Sequence, residues 1–141
     1  TIDKFMGDCI MAFWNAPIDN PQHKKLAVKS AVEMQDELTK LNLLLVAEGL
    51  PKINIGIGIN SGTALVGNMR SMQRLDYSVI GDAVNLASRL ESSSKDLKET
   101  LVISEETTKG LDKAFDFKYI DSIKVKGKTE KIKVYTLKGN N

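Results

Sequence analysis

Four isoleucines alternate with small or polar residues between positions 53 and 60, in the run INIGIGIN. Because side chains point alternately to the two faces of a β-strand, this run predicts a strand with one bulky face and one nearly bare face. The bare face carries Gly56 and Gly58. Glycines inside a strand often mark the close approach of another backbone or of a ligand. They do not form a dinucleotide-binding fingerprint, since the third glycine is misplaced and no helix follows directly.

The other predicted elements alternate between strands and helices. Apolar spacing predicts a long helix from Pro21 to about Glu48 and a shorter one from about Ala83 to Glu91. Strands are predicted as a hairpin around Gly7-Asp8 within residues 1–14, then at residues 64–66, 75–80 and 101–103, and as a final hairpin of residues 115–125 and 132–137. This order predicts one α+β domain over residues 1–141, with its helices on one face of a sheet.

Composition narrows the class of protein. The chain has 141 residues, 42% of them hydrophobic and 27% charged, which is typical of a globular domain. Its net charge of +2 does not indicate a nucleic-acid partner, and no apolar run reaches the ~18 residues of a membrane span. A single cysteine, Cys9, excludes an internal disulfide and fits a reducing compartment. We therefore expect a cytoplasmic domain without membrane contact, although its parent protein can be anchored through other domains.

Three local patterns contain residues suited to catalysis or ligand binding. Each of them can also be explained without a functional role. Asn85 and Arg89 are four residues apart, so both project from one face of the predicted helix, where an amide and a guanidinium suit a ring oxygen and a phosphate. Asp8 in the first hairpin is a natural Mg²⁺ ligand, and Lys126 in the last hairpin can contact phosphate oxygens. Taken singly, Asn85 and Arg89 are more typical of an ordinary helix surface, and Asp8 and Lys126 of ordinary turns, than of a binding site.

The chain resembles the class III adenylyl cyclases in five segments: DKFMGDCIMAFWNAP, INIGIGINSG, VGN, LDYSVIGDAVNLASRLE and VKGKTEKIKVY. It is most similar to bacterial catalytic domains of the subgroup that carries a hydroxyl residue in the adenine pocket. The resemblance implies the class III nucleotidyl cyclase fold, with a ferredoxin-like βαββαβ core and helices packed on a mostly antiparallel sheet. The family's first strand and helices would lie upstream of position 1, so we expect a catalytic domain that is incomplete at its N-terminus.

The resemblance also implies which purine is bound. Lys4 matches the lysine that reads the adenine ring, and Ser78, seven residues before Asn85, matches its partner in purine selection. Guanylyl cyclases carry glutamate and cysteine at these two positions. Ser78 departs from the threonine or aspartate usual in the adenylyl cyclases, but a serine hydroxyl can still reach the exocyclic amine. These residues favour ATP over GTP and leave a guanylate cyclase as the alternative.

The remaining site residues follow from the same resemblance. Asp8 matches the second of two metal-binding aspartates, Asn85 and Arg89 match the pair that orients the ribose and stabilises the transition state, and Lys126 matches the lysine on the triphosphate. The implied enzyme is an adenylate cyclase, a phosphorus-oxygen lyase of signal transduction that converts ATP to cyclic AMP and pyrophosphate with two Mg²⁺ or Mn²⁺ ions.

The implied active sites form across a homodimer, so that Asp8 and Lys4 would serve opposite sites. The first metal-binding aspartate would lie upstream of position 1. A catalytically incomplete module for nucleotide binding or dimerisation is therefore a further alternative. The resemblance to this subgroup also suggests that the enzyme responds to bicarbonate.

Overall fold

A computed structural model describes residues 1–70, 75–125 and 130–138 of the chain. In these residues eight strands and three helices follow the order β1 (Ile2–Met6), β2 (Cys9–Ala12), α1 (His23–Ala47), β3 (Ile57–Ile59), β4 (Leu65–Arg70), β5 (Leu75–Ile80), α2 (Asp82–Leu97), β6 (Leu101–Ser104), α3 (Glu105–Thr108), β7 (Phe117–Lys124) and β8 (Lys131–Leu137). None of the helices in the described part of the chain is long and apolar enough to cross a membrane.

The strands form one larger sheet and two hairpins. The larger sheet has the order β3-β6-β8-β7, in which β3 and β6 are parallel and the other two pairings are antiparallel. Strands β1 and β2 form one antiparallel pair, and β4 and β5 form another. The predicted α+β class with a mostly antiparallel sheet is confirmed.

The two long helices pack on opposite faces of the larger sheet. Strand β6 shows this directly, since Leu101 and Ile103 lie in the cluster under α1, whereas Val102 lies in the cluster under α2. Consecutive strand residues point to opposite faces. The buried members of the first cluster are Ala27, Val28, Ala31, Ile59, Leu101, Ile103 and Leu137, and those of the second are Leu90, Val102 and Val134. The prediction that the helices share one face is therefore wrong.

Strand β3 is shorter than its sequence pattern predicts, because it begins at Ile57 rather than near Ile53. The backbone of Ile53 pairs with a side chain instead of a strand. Asn42 of α1 donates from Nδ2 to the Ile53 carbonyl at 3.0 Å and accepts from the Ile53 N–H at 2.8 Å. Both backbone groups of Ile53 are thus satisfied by the helix, which removes the need for a sheet partner.

The glycine face of β3, where the sequence predicts the close approach of a backbone or a ligand, lies against helix α2. A Cβ atom added to Gly58 would lie 2.5 Å from the carbonyl oxygen of Ala87 and 2.9 Å from the carbonyl carbon of Leu90. Such distances are far inside van der Waals contact, so a side chain larger than hydrogen would push the helix outward. The approaching neighbour is therefore a helix backbone.

Candidate active site

Helix α2 presents Asn85 and Arg89 from its first two turns. The helix begins after Gly81, whose carbonyl oxygen accepts from the N–H groups of Val84 and Asn85, each at 3.1 Å. Asp82 lies in the first turn, where a carboxylate interacts favourably with the positive end of the helix dipole. Asn85 and Arg89 are both exposed and line the same cleft. The predicted side-by-side arrangement of their side chains is present.

The cleft that they line has a volume of about 920 Å³. It lies where the parallel strands β3 and β6 end. Its walls are residues 60–63 after β3, the first half of α2, residues 104–106, Val125 just after β7, and the start of β8. Parallel strands end at the same edge of a sheet, which explains why these loops meet. A volume of this size lies in the range of small-molecule sites.

The side chain of Arg89 is hydrogen-bonded to the end of strand β7. Its Nε donates a hydrogen bond of 3.2 Å to the carbonyl oxygen of Lys124, the last residue of β7. The terminal nitrogens of a guanidinium carry four further N–H donors. The bond therefore fixes the orientation of the group through Nε and joins α2 to the strand that leads into the β7–β8 hairpin.

Charges of both signs surround the cleft. Lys131 and Lys133 of β8 add positive charge to that of Arg89, whereas Glu105 and Glu106 add negative charge at the end of β6. The hydroxyl of Tyr135 donates to Oε2 of Glu105 at 3.3 Å. A hydrogen bond from Lys109, together with its positive charge, lowers the pKa of Glu106. Among the described lining residues, the positive side chains that suit phosphate oxygens are thus Arg89 of α2 and Lys131 and Lys133 of β8.

Asn60 is a cleft residue whose role the sequence patterns do not assign. It follows β3 directly, and its Nδ2 donates to the carbonyl oxygen of Ala83 at 2.9 Å, in the first turn of α2. The sequence indicates only which way its side chain points: Asn60 is two residues after Gly58 and four after Gly56, so it shares the bare face of the alternating run with them.

Lys4 and Asp8 lie on the β1–β2 hairpin, and neither lines the cleft of Asn85 and Arg89. Lys4 pairs with Met11 in β2, and its Nζ lies 3.9 Å from Oδ2 of Asp3. Asp8 is exposed in the turn, after Gly7, whose φ of 62° is a conformation that favours glycine. The predicted hairpin around Gly7-Asp8 is confirmed.

Two other predicted site residues are placed only in part or not at all. Ser78 lies in β5, where its backbone is opposite Gly67 of β4. Strand β5 is also in contact with β1, so the strands that carry Ser78 and Lys4 are neighbours. Lys126 lies outside the described residues.

Of the described residues, Asp8 is suited to supply one carboxylate ligand of a Mg²⁺ site. Among them no group of three or more histidine, cysteine, aspartate and glutamate side chains is arranged to hold a metal ion. Mg²⁺ is usually held by one or two carboxylates, water and substrate phosphates rather than by a cage of protein ligands. The exposed carboxylate of Asp8 suits that role, and a bound triphosphate and a further carboxylate would complete the coordination.

Comparison with known sequences places the chain in a family. The model of the family described as "Adenylate and Guanylate cyclase catalytic domain" matches residues 3–139. Adenylate cyclase 1 of Rhizobium meliloti is 34% identical over 139 residues, covering 99% of this chain and 21% of its own length. The adenylate cyclase of Anabaena cylindrica is 39% identical over 144 residues, covering 97% of this chain and 28% of its own length. The chain thus spans only about a quarter of these relatives.

Solved structures agree with the sequence comparison. The adenylyl cyclase CyaB of P. aeruginosa superposes with a TM-score of 0.83 at 37% identity, over 97% of this chain and 70% of its own. The guanylate cyclase domain of RhGC from Catenaria anguillulae, in complex with GTP, superposes with a TM-score of 0.80 at 26% identity, over 99% of this chain and 72% of its own. Domains of this kind generally use divalent metal ions. The chain therefore belongs to the family of adenylate and guanylate cyclase catalytic domains.

Proposed function

We propose that this domain converts ATP to 3′,5′-cyclic AMP and pyrophosphate. The observation that carries the proposal is the pairing of Asn85 and Arg89, one turn apart on α2 and lining one cleft, with Arg89 bonded to the end of β7. That bond lies two residues before Lys126, the residue proposed to contact the triphosphate. A ribose contact and two phosphate contacts would thus be supplied from adjoining elements.

The reaction forms a bond from the ribose 3′-oxygen to the α-phosphorus and breaks the bond from that phosphorus to the β-phosphate oxygen. The 3′-hydroxyl proton leaves, and pyrophosphate departs. Negative charge grows on the α-phosphate oxygens, where the terminal N–H groups of Arg89 would donate. Asn85 would donate its amide N–H to the ribose, which holds the 3′-oxygen in line with the phosphorus.

The purine would be read by Lys4 and Ser78, whose strands are in contact. The ammonium of Lys4 has only donors, so it suits an acceptor nitrogen of the adenine ring. Guanine presents an N–H at the ring position next to its carbonyl and needs an acceptor there, which lysine lacks. This difference favours ATP.

Metal binding would involve Asp8. A divalent ion bound there would activate the nucleophile and neutralise the triphosphate. We propose two such ions for each complete site and a homodimer in which Asp8 of one subunit serves the site formed by Asn85 and Arg89 of the other. An isologous dimer would then have two equivalent sites.

The test is turnover by the full-length purified protein with Mg²⁺ or Mn²⁺ and either ATP or GTP. Cyclic AMP that forms with ATP, and stops when the metal is chelated, supports the proposal. A preference for GTP would point instead to a guanylate cyclase, an alternative favoured by the similarity to the RhGC domain. Nucleotide binding without turnover of either substrate would point to a binding or dimerisation module.

A further inference from the structure

Helix α2 contacts the bare face of the INIGIGIN run at three alternate residues, Gly56, Gly58 and Asn60. At the middle point Gly58 lies under Ala87 and Leu90, close enough that a Cβ atom would be 2.5 Å from the Ala87 carbonyl oxygen. Nearer the C-terminus of α2, Glu91 and Ser94 lie over Gly56. A Cβ atom at Gly56 would be 3.1 Å from the Glu91 carbonyl oxygen. The glycines thus set how close the helix axis lies to the sheet.

The third point is polar. Asn60, half-buried, donates from Nδ2 to the carbonyl oxygen of Ala83 at 2.9 Å. This bond attaches the first turn of α2 to the chain that leaves β3. Glycine contact limits only the distance between helix and sheet, whereas a directed hydrogen bond also resists sliding and rotation of the helix.

Along α2, these contacts lie on both sides of Asn85 and of Arg89, which both line the cleft. Asn85 lies between Ala83, bonded to Asn60, and Ala87, which rests on Gly58. Arg89 lies between Ala87 and Leu90, both of which rest on Gly58. Neither Gly58 nor Asn60 needs to contact a substrate to affect where Asn85 and Arg89 project.

We infer that Gly58 and Asn60 are positioning residues that place Asn85 and Arg89 for cyclisation of the nucleotide. The inference rests on the proposed function. A reacting group displaced by about 1 Å can lose about a hundredfold in rate, even when the mutation is remote. Relief of the overlap at Gly58→Ala requires a shift of about that size, because nonbonded carbon and oxygen atoms need about 3.5 Å.

The main experiment compares Asn60→Leu with Asn42→Leu. Both changes remove a side-chain amide that donates to a backbone carbonyl, keep a similar shape and add no charge. Asn42 lies on α1 and bonds Ile53, away from the cleft. We expect kcat for Asn60→Leu to fall about tenfold with KM changed less than about twofold, since positioning acts on the transition state. Asn42→Leu should lower Tm and leave kcat unchanged.

A second pair compares Gly58→Ala with Gly67→Ala. A Cβ atom at Gly67, in β4, meets nothing within 4 Å, so that variant controls for the effect on Tm of changing glycine to alanine in a strand. Only Tm is compared for this control, because Gly67 lies opposite Ser78. We expect Gly58→Ala to lose about a hundredfold in kcat. If this variant fails to fold, the Asn60→Leu pair decides the question.

A kcat for Asn60→Leu within twofold of the wild type, or an equal loss for Asn42→Leu, would overturn the inference. A crystal structure of Asn60→Leu, and of Gly58→Ala if it folds, shows whether α2 has moved. Because this measurement does not depend on activity, it distinguishes failure of the inference from failure of the proposed function. Should the wild-type protein cyclise neither nucleotide, a shifted α2 would still support the positioning role, and an unmoved α2 would contradict it.

Discussion

The Nε of Arg89 donates a 3.2 Å hydrogen bond to the carbonyl oxygen of Lys124 and so joins helix α2 to the end of strand β7. The bond ties the proposed transition-state arginine to the strand that precedes Lys126. The two residues proposed to contact phosphate, Arg89 and Lys126, are 37 positions apart in the sequence.

Arg89→Lys should test this arrangement. Lysine keeps the charge but loses both the Nε bond to Lys124 and the planar array of donors. We expect kcat with ATP to fall by about 10² to 10³, as when a donor to a developing oxyanion is removed, with a much smaller change in KM. Lys95→Arg, at the last turn of the same helix, is the matched control and should leave kcat within about twofold. Equal kcat for Arg89→Lys and wild type would refute the role of Arg89.

Purine choice is tested by Lys4→Glu combined with Ser78→Cys. Glutamate adds an acceptor where lysine has only donors. The value of kcat/KM for ATP should therefore fall, and the ratio of kcat/KM for GTP to that for ATP should rise. Lys40→Glu makes the same charge change on α1, where Lys40 forms an exposed ion pair with Glu37. That control should leave the ratio of the two kcat/KM values unchanged. An unchanged ratio in the double variant would show that these residues do not read the base.

Stability should depend on the packing of α2 against the sheet. Leu90 of α2 is fully buried against Val102 and Val134 of the larger sheet, so Leu90→Ala should lower the free energy of unfolding by about 2–5 kcal/mol. Leu43 on α1 is 69% exposed, and Leu43→Ala should change it by less than about 0.5 kcal/mol. Urea denaturation measures both. Similar losses for the two variants would contradict the described core.

The glycine face shows what a local pattern can predict. The alternation in INIGIGIN predicted a close neighbour on the side of Gly56 and Gly58, and helix α2 is that neighbour. The same parity carries Asn60 toward α2, but no periodicity indicates that its amide bonds the Ala83 carbonyl. A hydrogen bond between residues 23 positions apart depends on the tertiary arrangement.

The wrong predictions have the same origin. All four residues of β6 are buried, so an uninterrupted run such as Leu101–Ser104 does not indicate which helix covers which face. Strand β3 begins late because Asn42, on a helix, bonds the backbone of Ile53. In each case a contact between distant elements decided the outcome.

Complementation between two inactive variants tests the central claim most directly. Asp8→Asn and Arg89→Ala would each inactivate both sites of a homodimer. If Asp8 and Arg89 from different subunits form each site, a mixed dimer has one intact site, and an equimolar, randomly reassorted mixture should form cyclic AMP at about a quarter of the wild-type rate. Cyclic AMP formation no faster than in either variant alone, under conditions where mixed dimers are shown to form, would contradict the proposed site.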